Sequence, residues 1–341
     1  MNTWKILWPA LLIVTFSSGC SNIDPKDAVK LASSGQSVTS AANLSYQSSR
    51  DGLNKYLESE AISAAFLDRP DVGDETVTSI MEISRQLEAR KDVFNQLGAT
   101  YKTFGELASY DAAKEVEDKI NGLSGALNEY AKATGSTAGP ISTVTNLVVS
   151  KGGGLIASEA QKDQLKEAST LIRVRLVSLS QFLVRDVERL KRYKSEELKA
   201  RARATGIFIG EGLGDPGQMA TGYLTDAGFS SPSDGVGYWT TEVRKAYIAS
   251  VLKYRSNKGP KPDLPPAYEA MRKYVAIRLK SQAEVQLSLL DEIRSSVDKL
   301  TGLHVDFEAG TPLSAASLTQ SIMQLQELLK EYEAARLQDK A

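Results

Sequence analysis

A single cysteine and a single histidine stand in the 341 residues, and their scarcity excludes a good deal. With only Cys20, no disulfide can form within the chain, and neither a Cys-x-x-Cys redox pair nor a cysteine-rich zinc site can be built. With only His304, any histidine–nucleophile pair and any histidine-containing metal site must use that one ring. Aromatic residues are few, at 7%, and charge is nearly balanced, at 41 basic against 42 acidic side chains. Such a balance argues against binding driven by phosphate neutralisation, so no nucleic-acid partner is expected. No apolar run approaches the roughly 20 residues that carry a helix across a bilayer. Period-two alternation long enough for a sheet is missing as well.

What is present begins at the N-terminus. Lys5 is the only charged side chain before Cys20, residues 6–16 are apolar, and Ser17, Ser18 and Gly19 are small. A basic start, a short apolar core and a small-residue exit are the parts of a secretory signal peptide, here residues 1–19. On Ser17-Ser18-Gly19-Cys20 the opening segment resembles a bacterial lipoprotein precursor, with Ser17 standing where that family usually carries an aliphatic residue. The resemblance implies cleavage before Cys20, a diacylglycerol on its sulfur and an acyl chain on its new amino group. Residues 20–23 would then be a lipidated tether, and the lipid would be the only non-protein group. Ser21, rather than Asp, follows the acylated position, which by the same resemblance implies the outer membrane, facing the periplasm or the surface. Ser17-x-Gly19 also fits an ordinary signal peptidase site, which would release an exported protein with a free thiol. Both routes take the chain out of the cytoplasm.

Beyond the tether the dominant signal is helical. Ile80, Ile83, Leu87, Arg90, Phe94, Leu97, Tyr101 and Phe104 alternate spacings of three and four, with Arg90 the one charged interruption. Val116, Ile120, Leu123, Leu127 and Tyr130 repeat the pattern, as do Leu165, Ala168, Ile172, Leu176, Leu179 and Leu183. Asp24 followed by Pro25 reads as a helix start, and Pro266 opens another helix with Asp263 or nearby backbone as its cap. Residues 158–205 contain neither Gly nor Pro and predict a rod of roughly 70 Å. A last helix is expected from about Pro312. The fold class is therefore all-α, an elongated up-and-down bundle of six or seven coiled-coil-like helices. Its parts are a long-helix bundle over 24–205, a Gly-rich loop over 206–239, and C-terminal helices over 240–341 packing on the same bundle.

Two segments break the periodicity. Residues 139–158, "GPISTVTNLVVSKGGGLIAS", are β-branched, apolar and almost uncharged between two helical stretches. Residues 206–239 are dense in Gly and end on Tyr238 and Trp239, the candidate contact residues of that loop.

Chemistry-bearing patterns are weak. His304, Asp306 and Glu308 in "HVDFE" permit a poor metal site, with a solvated helix-to-helix turn as the favoured reading. Ser296 and Lys299 form S-x-x-K, which resembles the penicillin-recognising enzymes by that tetrapeptide alone. "GEGLGDPG" lacks the Lys-Ser/Thr of a phosphate loop. Residues 184–204 carry eight Lys or Arg against four Asp or Glu and read as a solvated helix face or a contact to anionic headgroups.

The expected function is a lipid-anchored, non-enzymatic cell-envelope scaffold or binding module. Its partners would be the membrane through Cys20 and another envelope protein through helix faces or the Gly-rich loop, with a homo-oligomer as a further outcome. The alternative is a membrane-perturbing protein that uses 139–158, a layout that resembles the helical pore-forming toxins. An envelope hydrolase with an unrecognised site is a third reading.

Overall fold

The computed structural model describes residues 23–66, 73–110, 112–136, 140–144, 157–212, 242–313 and 323–331. Among these residues there are seven helices and no strand, and they form an all-α bundle. In chain order they are α1 (Pro25–Phe66), α2 (Asp74–Leu107), α3 (Ala113–Ala133), α4 (Ala157–Gly210), α5 (Arg244–Arg255), α6 (Pro266–Glu308) and α7 (323–331).

Helix α1 starts where Asp24 and Pro25 place it. The Asp24 carboxylate accepts the Lys26 backbone N–H at 2.9 Å, satisfying one of the free donors of the first turn. Its buried face is built from small residues, among them Ala28, Ala32, Gly35, Ala41, Ala42, Ser45 and Gly52. Small side chains let neighbouring helices approach. The Tyr101 ring of α2 occupies the space beside Gly35, where a Cβ would come within 2.2 Å of it.

Opposed contacts fix the helix directions. Gly35 meets Tyr101 and Gly105 meets Ala32, so α1 and α2 are antiparallel. The pairs Ser180–Asp298 and Lys191–Asp291 make α4 and α6 antiparallel, and Asp27 against the Leu313 N–H does the same for α1 and α6. Helix α3 folds back on α2, while the pairs Ser124–Arg175 and Tyr130–Phe182 run it parallel to α4. That parallel pair departs from a simple up-and-down order. It requires a return connection, part of which is the described segment 140–144.

The three apolar seams are the core. Every member of the α3 and α4 series is buried, as are Ile80, Leu87, Phe94, Leu97, Tyr101 and Phe104 of α2, with Ile83 packed at the margin. Each fully buried Leu, Ile or Phe contributes about 1.5–3 kcal/mol. The main cluster joins α1, α2, α3, α4 and α6. A second, around Tyr46, Leu53, Leu87, Leu190 and Tyr193, lies further along the same helices. A third, of Ile209, Tyr247, Val251 and Tyr268, ties α5 and the start of α6 to the end of α4.

Two buried charge clusters explain what interrupts the seams. Arg90 donates to Asp186 of α4 at 3.2 Å, with side chains 3% and 1% exposed. Glu197, also 1% exposed, is held by Lys194 at 2.5 Å and Arg201 at 3.5 Å. Gly52 of α1 makes room for that carboxylate, since a Cβ there would lie 2.6 Å from Glu197 Oε2.

Two helix ends differ from the sequence reading. Helix α4 continues through Gly206 to Gly210, because Ile209 is buried in the third cluster and Phe208 packs edge-on against Phe66. The first residues assigned to the Gly-rich loop are therefore helical. At 54 residues α4 is about 80 Å long rather than 70 Å. Helix α6 is capped by the backbone of Pro265, the nearby-backbone alternative to Asp263, and runs past Gly302 to Glu308, so "HVDFE" is helix and not turn. The expected start of the last helix at Pro312 leads into residues 314–322, outside the described set, and the helix is seen from 323.

Candidate functional site

The groove between α3 and α4 holds an extended stretch of the chain itself. Just past the C-cap of α3, Gly135 adopts a φ of 65°, which suits a residue without a Cβ, and Ser136 N–H bonds back to the Ala131 carbonyl. Residues 140–144 then run back along α3. Asn128 donates Nδ2 to the Ile141 carbonyl at 3.1 Å and accepts the Ile141 N–H at 2.8 Å. One heptad earlier, Asn121 treats Val144 the same way, at 3.0 and 2.7 Å. Seven helical residues rise about 10.5 Å, and three residues cover about 9–10 Å only in an extended conformation; a repeat every third residue is the period of a polyproline-II-like strand rather than the period of two of a β-strand.

Arg175 of α4 closes the clamp. It is 5% exposed, and its Nη2 donates to the Ser142 carbonyl at 2.9 Å. Nε donates to Ser124 Oγ at 3.1 Å and Nη1 to the Leu171 carbonyl at 3.3 Å, so it serves three neutral oxygens. Burial lowers its pKa from the usual arginine value. Ile141 and Val144 pack on the main core, while Ser142 and Thr143 face outward. The clamp thus grips main-chain amides and carbonyls, and only the first and fourth side chains of the strand reach the bundle. Sequence reasoning treated 139–158 as one apolar stretch and passed over Asn121, Asn128 and Arg175. The available signal was two amide side chains one heptad apart on α3.

His304 is the second polar feature, and it is sealed. Its exposure is zero. Tyr101 OH lies 3.0 Å from Nε2 and Ser169 Oγ 2.7 Å from Nδ1. Ser169 donates to Glu308 at 3.2 Å, and Glu308 is held by Arg173 at 3.0 Å. One direction satisfies every partner: Tyr101 donates to Nε2, Nδ1–H donates to Ser169, and Ser169 donates to the carboxylate. This makes the ring neutral. Burial, with Arg173 adding to it, lowers its pKa to about 3. The expected solvated turn is thus a core position, reached because α6 continues past Gly302. Asp306 points to solvent, and no group of metal-holding residues occurs among the described residues.

An open cleft of about 730 Å³ lies between α1, α2 and α4. Its floor includes Tyr56, Ile80, Ile83 and Tyr193, with Arg189 and Arg192 on one rim and Glu75 and Glu82 on the other. Tyr56 and Tyr193 meet edge to face at 5.8 Å.

The remaining candidates separate. Ser296 is buried, whereas Lys299 is half-exposed and pairs with Glu292, so S-x-x-K forms no Ser–Lys couple. The basic stretch 184–204 is partly internal: Asp186 and Glu197 are buried and paired with Arg90, Lys194 and Arg201, while Arg185, Arg189, Arg192, Lys199 and Arg203 are exposed. Cys20, Tyr238 and Trp239 lie outside the described residues, as do 139 and 145–156 of the apolar segment. No described helix is long and apolar enough to cross a membrane. Comparison with known protein families, characterised proteins and solved structures finds no match.

Proposed function

We propose that this chain is an exported lipoprotein whose helical body is a non-enzymatic binding module of the cell envelope. One observation carries the binding part: the α3–α4 groove holds an extended chain through backbone groups, using Asn121, Asn128 and Arg175. That is the chemistry of holding a polypeptide and not of transforming one. His304 supports the non-enzymatic reading, because both ring nitrogens are engaged and the ring has no exposed surface on which to meet a substrate.

The anchor part rests on Cys20 and on the chain that follows it. Helix α1 begins at Pro25, five positions beyond the cysteine, so a lipid there would hold the bundle close to the bilayer by the end that carries the start of α1. Three acyl chains exceed the two lipid signals that suffice for stable attachment. Ser21 favours the outer membrane.

Photo-crosslinking in producing cells tests the binding role, with the probe placed at the outward-facing Thr143 and the adducts read by mass spectrometry. A discrete protein adduct, another protein or a second copy, is expected. Diffuse labelling without a defined partner would contradict the proposal.

A further inference from the structure

We infer that the α3–α4 groove is a general reader of extended polypeptide, and that Ile141–Val144 is its occupant in cis. Its partner in trans would be an extended segment of an envelope protein with aliphatic side chains at the first and fourth positions. The inference rests on the binding-module reading and names the partner's chemistry; it does not depend on the lipid anchor.

The rungs ignore sequence. Asn128 and Asn121 each give one donor and one acceptor to a single residue of the strand, as a neighbouring β-strand would. Arg175 adds a charged donor to the carbonyl between them. Selectivity comes only from the inward positions. Ile141 and Val144 reach the apolar core, whereas Pro140, Ser142 and Thr143 are exposed. The ladder has two rungs because the position one heptad before Asn121 is Lys114, which carries no amide, and the position one heptad after Asn128 is Gly135.

Nothing in these contacts requires the strand to belong to the same chain. Its advantage in cis is connection, equivalent to an effective concentration on the order of millimolar. A competing strand therefore gains access when it is abundant or held nearby, as a partner on the same membrane would be.

The probe is a fluorescein-labelled peptide of sequence GPISTVTN, titrated against the full chain in detergent and followed by fluorescence anisotropy. Weak binding is expected for the wild type, and at least tenfold tighter binding for Ile141→Ser/Val144→Ser, whose own strand has lost both inward side chains. Adding Asn121→Ala and Asn128→Ala should return affinity to the wild-type level or below, and a peptide with Ser at both aliphatic positions should not bind. Equal, weak binding by wild type and by a folded Ile141→Ser/Val144→Ser chain would overturn the inference. If that variant does not fold, hydrogen exchange on the wild type decides. Millimolar peptide should speed exchange of the Ile141 and Val144 amides at least threefold, and unchanged exchange would overturn the inference. A discrete in-cell adduct with no peptide binding would remove this groove chemistry while leaving a binding role through another face.

Discussion

Lowering the pH from 7 to 5.5 should destabilise the wild-type chain by about 1 kcal/mol more than a His304→Gln variant. The folded protein holds His304 neutral with a pKa of about 3, through burial and the nearby Arg173. In the unfolded chain the ring should titrate near its ordinary value of about 6.5. A folded pKa below the unfolded one means that the unfolded state takes up the proton first. The stabilisation is complete above about pH 6.5 and is lost as the pH falls toward 3. At pH 5.5 the unfolded ring is about ten-to-one protonated, worth about 1.4 kcal/mol, against about 0.2 kcal/mol at pH 7. By pH 4 the loss reaches about 3 kcal/mol, but carboxylates titrate there too, so the upper window is the cleaner one. The groups facing the ring are Tyr101 from α2, Ser169 and Arg173 from α4, and Glu308 from α6. Urea unfolding at pH 7, 6.25 and 5.5, read by far-ultraviolet circular dichroism for both proteins, gives the two slopes. Equal slopes would refute the buried, neutral placement of His304.

Asp186→Ala should cost about 3–5 kcal/mol, because it strands the Arg90 guanidinium in the core. Replacing both partners, Arg90→Met with Asp186→Leu, should restore most of that stability, and a single-variant loss below about 1 kcal/mol in urea unfolding would contradict the buried pair. Gly35→Ala should destabilise by about 1–2 kcal/mol, since a Cβ 2.2 Å from the Tyr101 ring outweighs the helix-propensity gain of about 1 kcal/mol. Gly125→Ala on open α3 surface should instead stabilise by about 0.5–1 kcal/mol, and thermal melts giving both substitutions the same sign would reject this packing. Asn121→Ala/Asn128→Ala should speed hydrogen exchange of the Ile141 and Val144 amides severalfold, at about 1 kcal/mol per lost bond, and unchanged protection would remove the clamp.

The bundle was legible where one side chain type recurred on one helical face. The seams of α2, α3 and α4 follow directly from spacing, and even Arg90 kept its place in the pattern. What spacing could not show was its partner. Asp186 lies 96 positions away on another helix, and only the antiparallel packing of α2 on α4 brings the charges together. The turn expected at "HVDFE" fails for a similar reason. Gly302 weakens helix propensity locally, but burial of His304 and Phe307 on both sides of Val305 carries the helix on to Glu308. The groove was the least visible feature. Asn121 and Asn128 look like ordinary polar positions until a strand lies across them, and that strand is fixed by the parallel course of α3 and α4 rather than by local sequence. The proposed anchor is the converse case, resting on the local pattern Ser17–Cys20 alone, outside the described residues.

Metabolic labelling with an alkyne analogue of palmitate tests the proposed anchoring most directly. Cells producing the wild-type chain and the Cys20→Ser variant would be labelled, fractionated and probed for the protein. The account predicts label on the wild type in the membrane fraction and none on Cys20→Ser. Equal labelling of the two, or an unlabelled wild type cleaved after Gly19 and free of the membrane, would contradict it.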